Sequence, residues 1–550
     1  MLMCPFLAAL INTSINSFFV NMKKHLAFLF LLSFGLIVSC HKTDSSGPSG
    51  VATLSVSRTA IRLDTAIGTI DTLKVHSTIQ WTAAISPANS WLKLNTSSGG
   101  NGDTVLTLTV ISNNGTATPQ EATITFSPVN NSQILPVTVT LTEKNYINWA
   151  KALGGSKDDE VIDVTLTPDG GSILAGLSNS VNGDVTGNQG ALDILIVKLD
   201  ASGNKQWAKT FGGSGSDLGR SVITTTDGGY IVCGYTTSKN GDVTSSYGGL
   251  DAWILKLDAS GNKQWAKTFG GSGDDDAFSI ITTADGGYTV AGYTKSTDGN
   301  ITSNHGNDDF WVLKLDASGN TQWSKTYGGA DREEANSIVS TTDGGYAVTG
   351  FTSSTDGDVA GQHGSIDFWV LKLDASGTKQ WAKTFGGSGN DNASTIITTA
   401  DGGYAVTGYT SSTDGDVSNN HGGSGDFWLL KLDASGTKQW AKTYGGSAYE
   451  NPNSVVITSD GGYAMAGHTS STNGNVTNNH GGNDFWVVKV DVSGNEQWAK
   501  TFGGSNNDDA SAIIATPDGN AVAVGNTLST DGAVKGNHGN TDIWVLKLNF

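Results

Sequence analysis

The chain has 550 residues and 73 glycines, and Thr, Ser, Asn and Asp crowd the gaps between short apolar runs, so it reads as several domains of short strands joined by turns. A formal charge of −19 argues against a nucleic-acid partner, whose phosphates need a basic surface, and against electrostatic docking on an anionic membrane. Arginine occurs only at Arg58, Arg62, Arg220 and Arg332, which leaves bidentate clamping of carboxylates or phosphates poorly supplied, and Cys4, Cys40 and Cys233 make no disulfide framework.

At the amino terminus Lys23 and Lys24 follow Met22 and precede the apolar run 26–38. That run is too short to span a bilayer but suits the core of a signal peptide. It ends in Ile37-Val38-Ser39-Cys40, which resembles a bacterial lipobox and implies cleavage before a lipidated Cys40. The competing reading is an ordinary signal peptide with a chance cysteine. The expected division is a misassigned start over 1–21, a lipoprotein signal peptide over 22–39, and the lipidated cysteine with a Ser/Gly tether over 40–50.

Residues 51–143 show period-2 alternation. In 105–110 the apolar face carries Leu106, Leu108 and Val110; in 137–141 it carries Val137, Val139 and Leu141. With the runs near Leu54, Leu73, Trp81, Trp91 and Ile124, about seven short strands are expected, the pattern of a β-sandwich. The segments "LSVSRTAIRL", "IQWTAAI", "SWLKL", "GGNGDTVLTLTV", "EATITF" and "LPVTVTLTE" together resemble a BACON domain, a module common in exported Bacteroidetes proteins. The resemblance implies an Ig-like sandwich and an association with carbohydrate. Trp81 and Trp91 are expected in the core, because both sit within alternating strands.

From residue 146 onward the chain repeats itself. The tryptophan of "QWAKT" and its variants recurs at Trp149, Trp207, Trp265, Trp323, Trp381, Trp440 and Trp498, at intervals of 58 or 59 residues. Within a unit, "SIITTADGGYTVAGYT" reads as a hairpin turning on Asp285-Gly286-Gly287. After a longer loop, "DFWVLKLDASGNTQWSKTYGG" reads as a second hairpin. Four strands, A to D, thus make one propeller blade. The region opens on a lone D strand and closes on a lone C strand, so the strand at 146–153 is expected to complete the last of seven blades and close the ring. The units resemble the seven-bladed propeller repeats of the SBBP type, through their "GGSG-D", "DGGY-V-GYT" and "D-F-V-KLDASG" blocks, a resemblance that speaks to fold and not to activity. With Arg220 and Arg332 the only arginines in this region, a sialidase-like propeller with three arginines on the sugar carboxylate is excluded.

The D–A and B–C loops share one face of such a disc, and they are the longer and more variable ones, so that face is the expected place for a ligand. Its acidic loop residues include Asp274, Asp275, Asp276, Asp356, Asp358, Asp414 and Asp416, an oxygen-rich set suited to Ca²⁺ but lacking the full EF-hand spacing and equally at home in solvated turns. His305, His363, His421, His480 and His538 occupy one equivalent position, replaced by Gln189 and Tyr247 in the first two units. A residue repeated in five copies is expected to serve its own blade. Breaks in the repeat (Arg220, Arg332, Lys239, Lys295, Tyr449, His468 and Cys233) form no recognisable catalytic constellation.

The composite expectation is an all-β chain: a BACON-like sandwich over 51–143, then a seven-bladed β-propeller over 146–550. It is anchored by lipid on Cys40 at the cell envelope, at the outer membrane, and acts as a non-enzymatic binding or scaffold module for a glycan or an envelope protein. No cofactor is expected apart from the calcium reading. The rivals are a propeller lyase or glycosidase acting on polysaccharide, and a structural spacer or protein platform.

Overall fold

A computed structural model describes residues 52–63, 70–87, 91–111, 121–143 and 145–550, and no helix occurs among them. Cys40, the signal segment and the whole tether lie outside the described residues.

Among its described residues the first region holds nine strands: β1 (Leu54–Val56), β2 (Ala60–Leu63), β3 (Ile70–Ser77), β4 (Trp81–Ser86), β5 (Leu92–Leu94), β6 (Ser98–Gly99), β7 (Gly102–Val110), β8 (Glu121–Pro128) and β9 (Val137–Glu143). They form two sheets, ordered β1-β3-β7-β5 and β2-β9-β8-β4-β6, with β2 parallel to β9. Alternation selects the buried face: Leu106, Leu108 and Val110 of β7 meet Ile124 and Phe126 of β8 and Val139 and Leu141 of β9 in one core. Trp81 and Trp91 belong to it, exposed by only 1% and 3%. Strands as short as β2, β5 and β6 are too brief to show a period, which is why the sequence suggests about seven rather than nine.

The second region begins with β10 (Ile147–Leu153), followed by β11 (Asp159–Leu166), β12 (Ser172–Ser178), β13 (Asp193–Leu199) and β14 (Lys205–Phe211). β11 to β14 form one antiparallel sheet in chain order, and five further four-stranded sheets repeat it. The last sheet takes three strands from the end of the chain (Asp508–Ala515, Ala521–Thr527 and Asp542–Leu548), and its fourth is β10. β10 runs antiparallel to Asp542–Leu548, from Ile147 opposite Leu548 to Leu153 opposite Ile543. The architecture is that of a β-propeller built from repeats.

Every C strand is buried along its whole length, because both faces of each sheet are covered. The apolar clusters accordingly lie between sheets. One gathers Ile194 and Ile196 with Val222, Val232 and Trp253; another joins Val161 and Leu174 of the first sheet to Val524 and Val545 of the last. Aromatic pairs bridge neighbours, as Phe368 and Trp428 do with ring centroids 4.5 Å apart.

At the A–B turns each sheet carries a buried lysine on its C strand, paired with the aspartate of the "DGG" turn: Lys256 with Asp227, Lys314 with Asp285, Lys372 with Asp343 and Lys431 with Asp401, each at 2.8 Å. Hydrogen bonds from Lys314 and then Thr283 hold the Asp285 carboxyl down to about 2.

Two outcomes are expected. A chain beginning after Leu153 leaves the Asp542–Leu548 edge open, and calorimetry with light scattering should show a lower Tm and self-association. Because the folded-state pKa of the turn aspartates is depressed, their pairs stabilise the fold above the ordinary carboxylate range, and that contribution is lost as pH falls from about 4 towards 2. Acid titration followed by tryptophan fluorescence should show this loss, and Asp285→Asn should make the protein less stable at neutral pH and flatten the acid limb.

Candidate functional site

Each A strand carries a β-bulge near its start. The ladder steps from Val161 to Asp163 in the first sheet, from Gly219 to Ser221 in the second and from Ala277 to Ser279 in the third, and the step recurs in the other four. A bulge leaves one residue unpaired and re-aims its side chain. The unpaired residues are Ile162, Arg220, Phe278, Asn336, Ser394, Asn453 and Ser511, all of which line a single cavity of about 500 Å³. With one wall from every A strand, the cavity lies on the axis of the ring.

The glycine of the "GYT" block explains why the bulge forms. In the second sheet a β-carbon on Gly234 would lie 1.9 Å from the Leu218 carbonyl oxygen, and Gly176 meets the Glu160 carbonyl at the same distance. Only glycine lets the bulged backbone come this close.

The residue after each bulge also faces the cavity: Asp163, Ser221, Ser279, Ser337, Thr395, Ser454 and Ala512; Asn392, Asn451 and Tyr409 complete the lining. The wall is thus mostly amide and hydroxyl. Asp163 is its one carboxylate, and it accepts the backbone N–H groups of Val164 and Val222. Burial pushes its pKa up. Arg220 donates to Asp276 of the next sheet at 3.0 Å and stacks 4.5 Å from the centre of the Phe278 ring. The Asp276 side chain is 2% exposed, so Arg220 balances a charge that water does not reach.

The residues singled out in the loops take other places. His305, His363, His421, His480 and His538 each turn Nδ1 to an aspartate of their own sheet, at 2.6, 3.2, 3.0, 2.6 and 3.0 Å, and none lines the axial cavity. Asp275 is buried and accepts from Thr294, from Ser296 and from the Gly271 N–H. Asp274 accepts the Leu250 N–H and approaches Lys295 at 3.5 Å. Asp356 and Asp414 accept the N–H groups of Ala330 and Ser388, whereas Asp358 and Asp416 pair with Lys379 and Lys438. Of the acidic set, Asp276 alone reaches the cavity wall, through Arg220. Among the described residues no group of three or more His, Cys, Asp or Glu side chains is arranged to hold a metal.

Among the breaks in the repeat, Arg332 pairs with Asp308 at 2.9 Å, Tyr449 packs on His468, and Cys233 is buried with its thiol pKa pushed up by burial. Sequence reasoning found Arg220 as a break but missed its six counterparts. The signal was present: three residues after the acid that opens each A strand stands a position with no consensus, reading Ile, Arg, Phe, Asn, Ser, Asn, Ser.

No family profile matches the chain. It is 26% identical over 187 residues to the regulatory protein FlaEY of Caulobacter vibrioides, a match covering 30% of this chain and 19% of that one, so the chain spans about a fifth of that relative's length. Among solved structures it is similar to Sqt1 of Chaetomium thermophilum, at 11% identity over 73% of this chain and 100% of that one, with a TM-score of 0.38. A quinonprotein alcohol dehydrogenase-like protein of Bacteroides thetaiotaomicron gives 9% identity over 80% and 94%, with a TM-score of 0.31. A GH5 xyloglucanase of Bacteroides ovatus gives 23% identity over 19% and 22%, with a TM-score of 0.15.

Replacing Arg220 by Ala strands the Asp276 charge and should cost about 3–5 kcal/mol in denaturant unfolding. Adding Asp276→Asn to that variant should recover most of the loss.

Proposed function

We propose that the chain is an envelope lipoprotein, anchored through Cys40, in which an Ig-like sandwich of the BACON type carries a seven-bladed propeller of SBBP-like repeats. Its role is non-enzymatic binding, with a glycan held in the axial cavity. The observation that carries the reading is the bulge position. Seven near-copies of one unit differ at the residue each sends to the axis, and those seven side chains converge on one space.

The chemistry of the wall fits a neutral sugar. Asn336, Ser394 and Asn453 already donate to carbonyls of the next sheet, so the wall offers a sugar chiefly acceptor oxygens and the remaining hydroxyls, and Phe278 and Tyr409 supply flat apolar surface. Against the lyase or glycosidase reading stands the shortage of acid–base partners. Glycoside hydrolysis uses two facing carboxyl groups, and the cavity wall offers Asp163 alone, tied to two backbone amides. The membrane anchor rests on the lipobox and the carbohydrate association on the BACON resemblance.

Purified residues 41–550 should be retained by members of a polysaccharide panel without releasing new reducing ends. Phe278→Ala should weaken retention roughly tenfold, about 1.4 kcal/mol, with little change in Tm. Release of sugar ends would transfer the case to the enzyme reading. Neither retention nor release would favour a spacer or protein platform.

A further inference from the structure

Among the buried carboxylate oxygens of the ring with no hydrogen-bond partner, seven occupy one equivalent position. They are the Oδ1 atoms of Asp193, Asp251, Asp309, Asp367, Asp426, Asp484 and Asp542, the residues that open the C strands, all 0% exposed. The other oxygen of each is used: Asp193 Oδ2 accepts the Gln189 N–H at 2.5 Å and Asp251 Oδ2 that of Tyr247 at 2.9 Å. In the remaining five it accepts the N–H of the histidine described above, whose Nδ1 faces the same oxygen.

Beside each orphan lies a second buried carboxylate, from the A strand of the following sheet. A β-carbon on Gly212 would lie 2.5 Å from Asp193 Oδ1 and 2.5 Å from Asp217 Oδ2. The same convergence occurs at Gly386, with Asp367 at 2.7 Å and Asp391 at 2.5 Å, and at Gly445, with Asp426 at 2.3 Å and Glu450 at 2.7 Å. The second carboxylate offers no donor when ionised, and its oxygens already accept from the neighbouring hydroxyls and glycine N–H; Asp217 takes Thr236, Ser238 and Gly213.

Two like charges taken out of water side by side are costly unless something positive stands between them. The other charged groups at the junction do not supply it. The histidines sit on the far oxygen. Asp242, Asp358 and Asp416 are themselves acids, held by Lys263, Lys379 and Lys438.

We propose that each of the seven junctions binds one hard metal cation, with the orphan aspartate oxygen and the following A-strand carboxylate as its anionic ligands. Oxygen ligands and double negative charge are what calcium or magnesium takes, and two carboxylates leave coordination positions for water. The site is distinct from the Asp356-Gly357-Asp358 type of loop, whose oxygens already hold backbone amides and lysines. It is also independent of what the axial cavity binds.

The test is metal content and melting of the full chain purified in detergent. After equilibration with calcium or magnesium, mass spectrometry should count close to seven ions per chain, and EDTA should lower the Tm. Asp193→Asn should remove one ion; it should destabilise the protein in calcium and stabilise it in EDTA, because the amide relieves an uncompensated charge only when the cation is gone. Asp251→Asn, at the other junction without a histidine, is the second variant should the first not fold. No retained metal together with a Tm indifferent to EDTA would overturn the proposal. So would stabilisation by Asp193→Asn in both media at pH 8 that fades at pH 5, which would identify a proton as the partner.

Discussion

The ring depends on one buried acid per sheet, placed where the chain crosses from one blade to the next. Asp217 shows how it works. Its carboxylate accepts the N–H of Gly213, which belongs to the crossing segment, and the hydroxyls of Thr236 and Ser238 at the end of the neighbouring B strand. One side chain thus fixes the exit of one sheet, the entry of the next and the loop between them, with hydrogen bonds to a charged group, which are stronger than neutral ones. In Glu333 and Glu450 the same role passes to a longer acid, which still reaches the glycine N–H at 2.8 and 2.7 Å. The position tolerates a change of length but keeps its charge.

With the crossing fixed, the inner strand can carry a bulge at the same offset in every sheet. The bulge needs a glycine opposite it, and the "GYT" glycine is there in sheet after sheet. Its effect is to free one residue per sheet from the ladder and to turn its side chain towards the axis. Positions held by packing are nearly invariant among the seven copies, because a change of volume in a close-packed interior is felt by both neighbours. The bulge position lies outside the ladder, so it can take Ile, Arg, Phe, Asn or Ser, although the residue chosen can bond to the next sheet, as Arg220 does to the buried Asp276.

The all-β class, the four-stranded unit, the pairing of β10 with the final strand and the core placement of Trp81 and Trp91 were legible in the sequence, because each follows from a period or from register. The lining of the cavity was not. A bulge breaks the alternation that marks a strand, so the A strand of the third sheet reads from Ser279 onward although it begins at Asp275. Phe278, the bulge residue of that strand, then falls in what looks like loop. The histidines were the opposite case, since their recurrence alone pointed to service within each blade. Each turns Nδ1 to an aspartate of its own sheet.

Repetition and function are therefore read from opposite features of the same alignment of units. What recurs seven times, the buried acid, the glycine, the lysine under the turn, builds the ring and holds it closed. A ligand on the axis meets all seven units at once but in seven orientations, so an identical residue in each could present only a symmetric ring. Recognition of an asymmetric molecule such as a sugar chain requires the copies to differ where they meet it. The guanidinium of Arg220, the ring of Phe278 and the amides of Asn336 and Asn453 give the axis a direction that the fold by itself lacks.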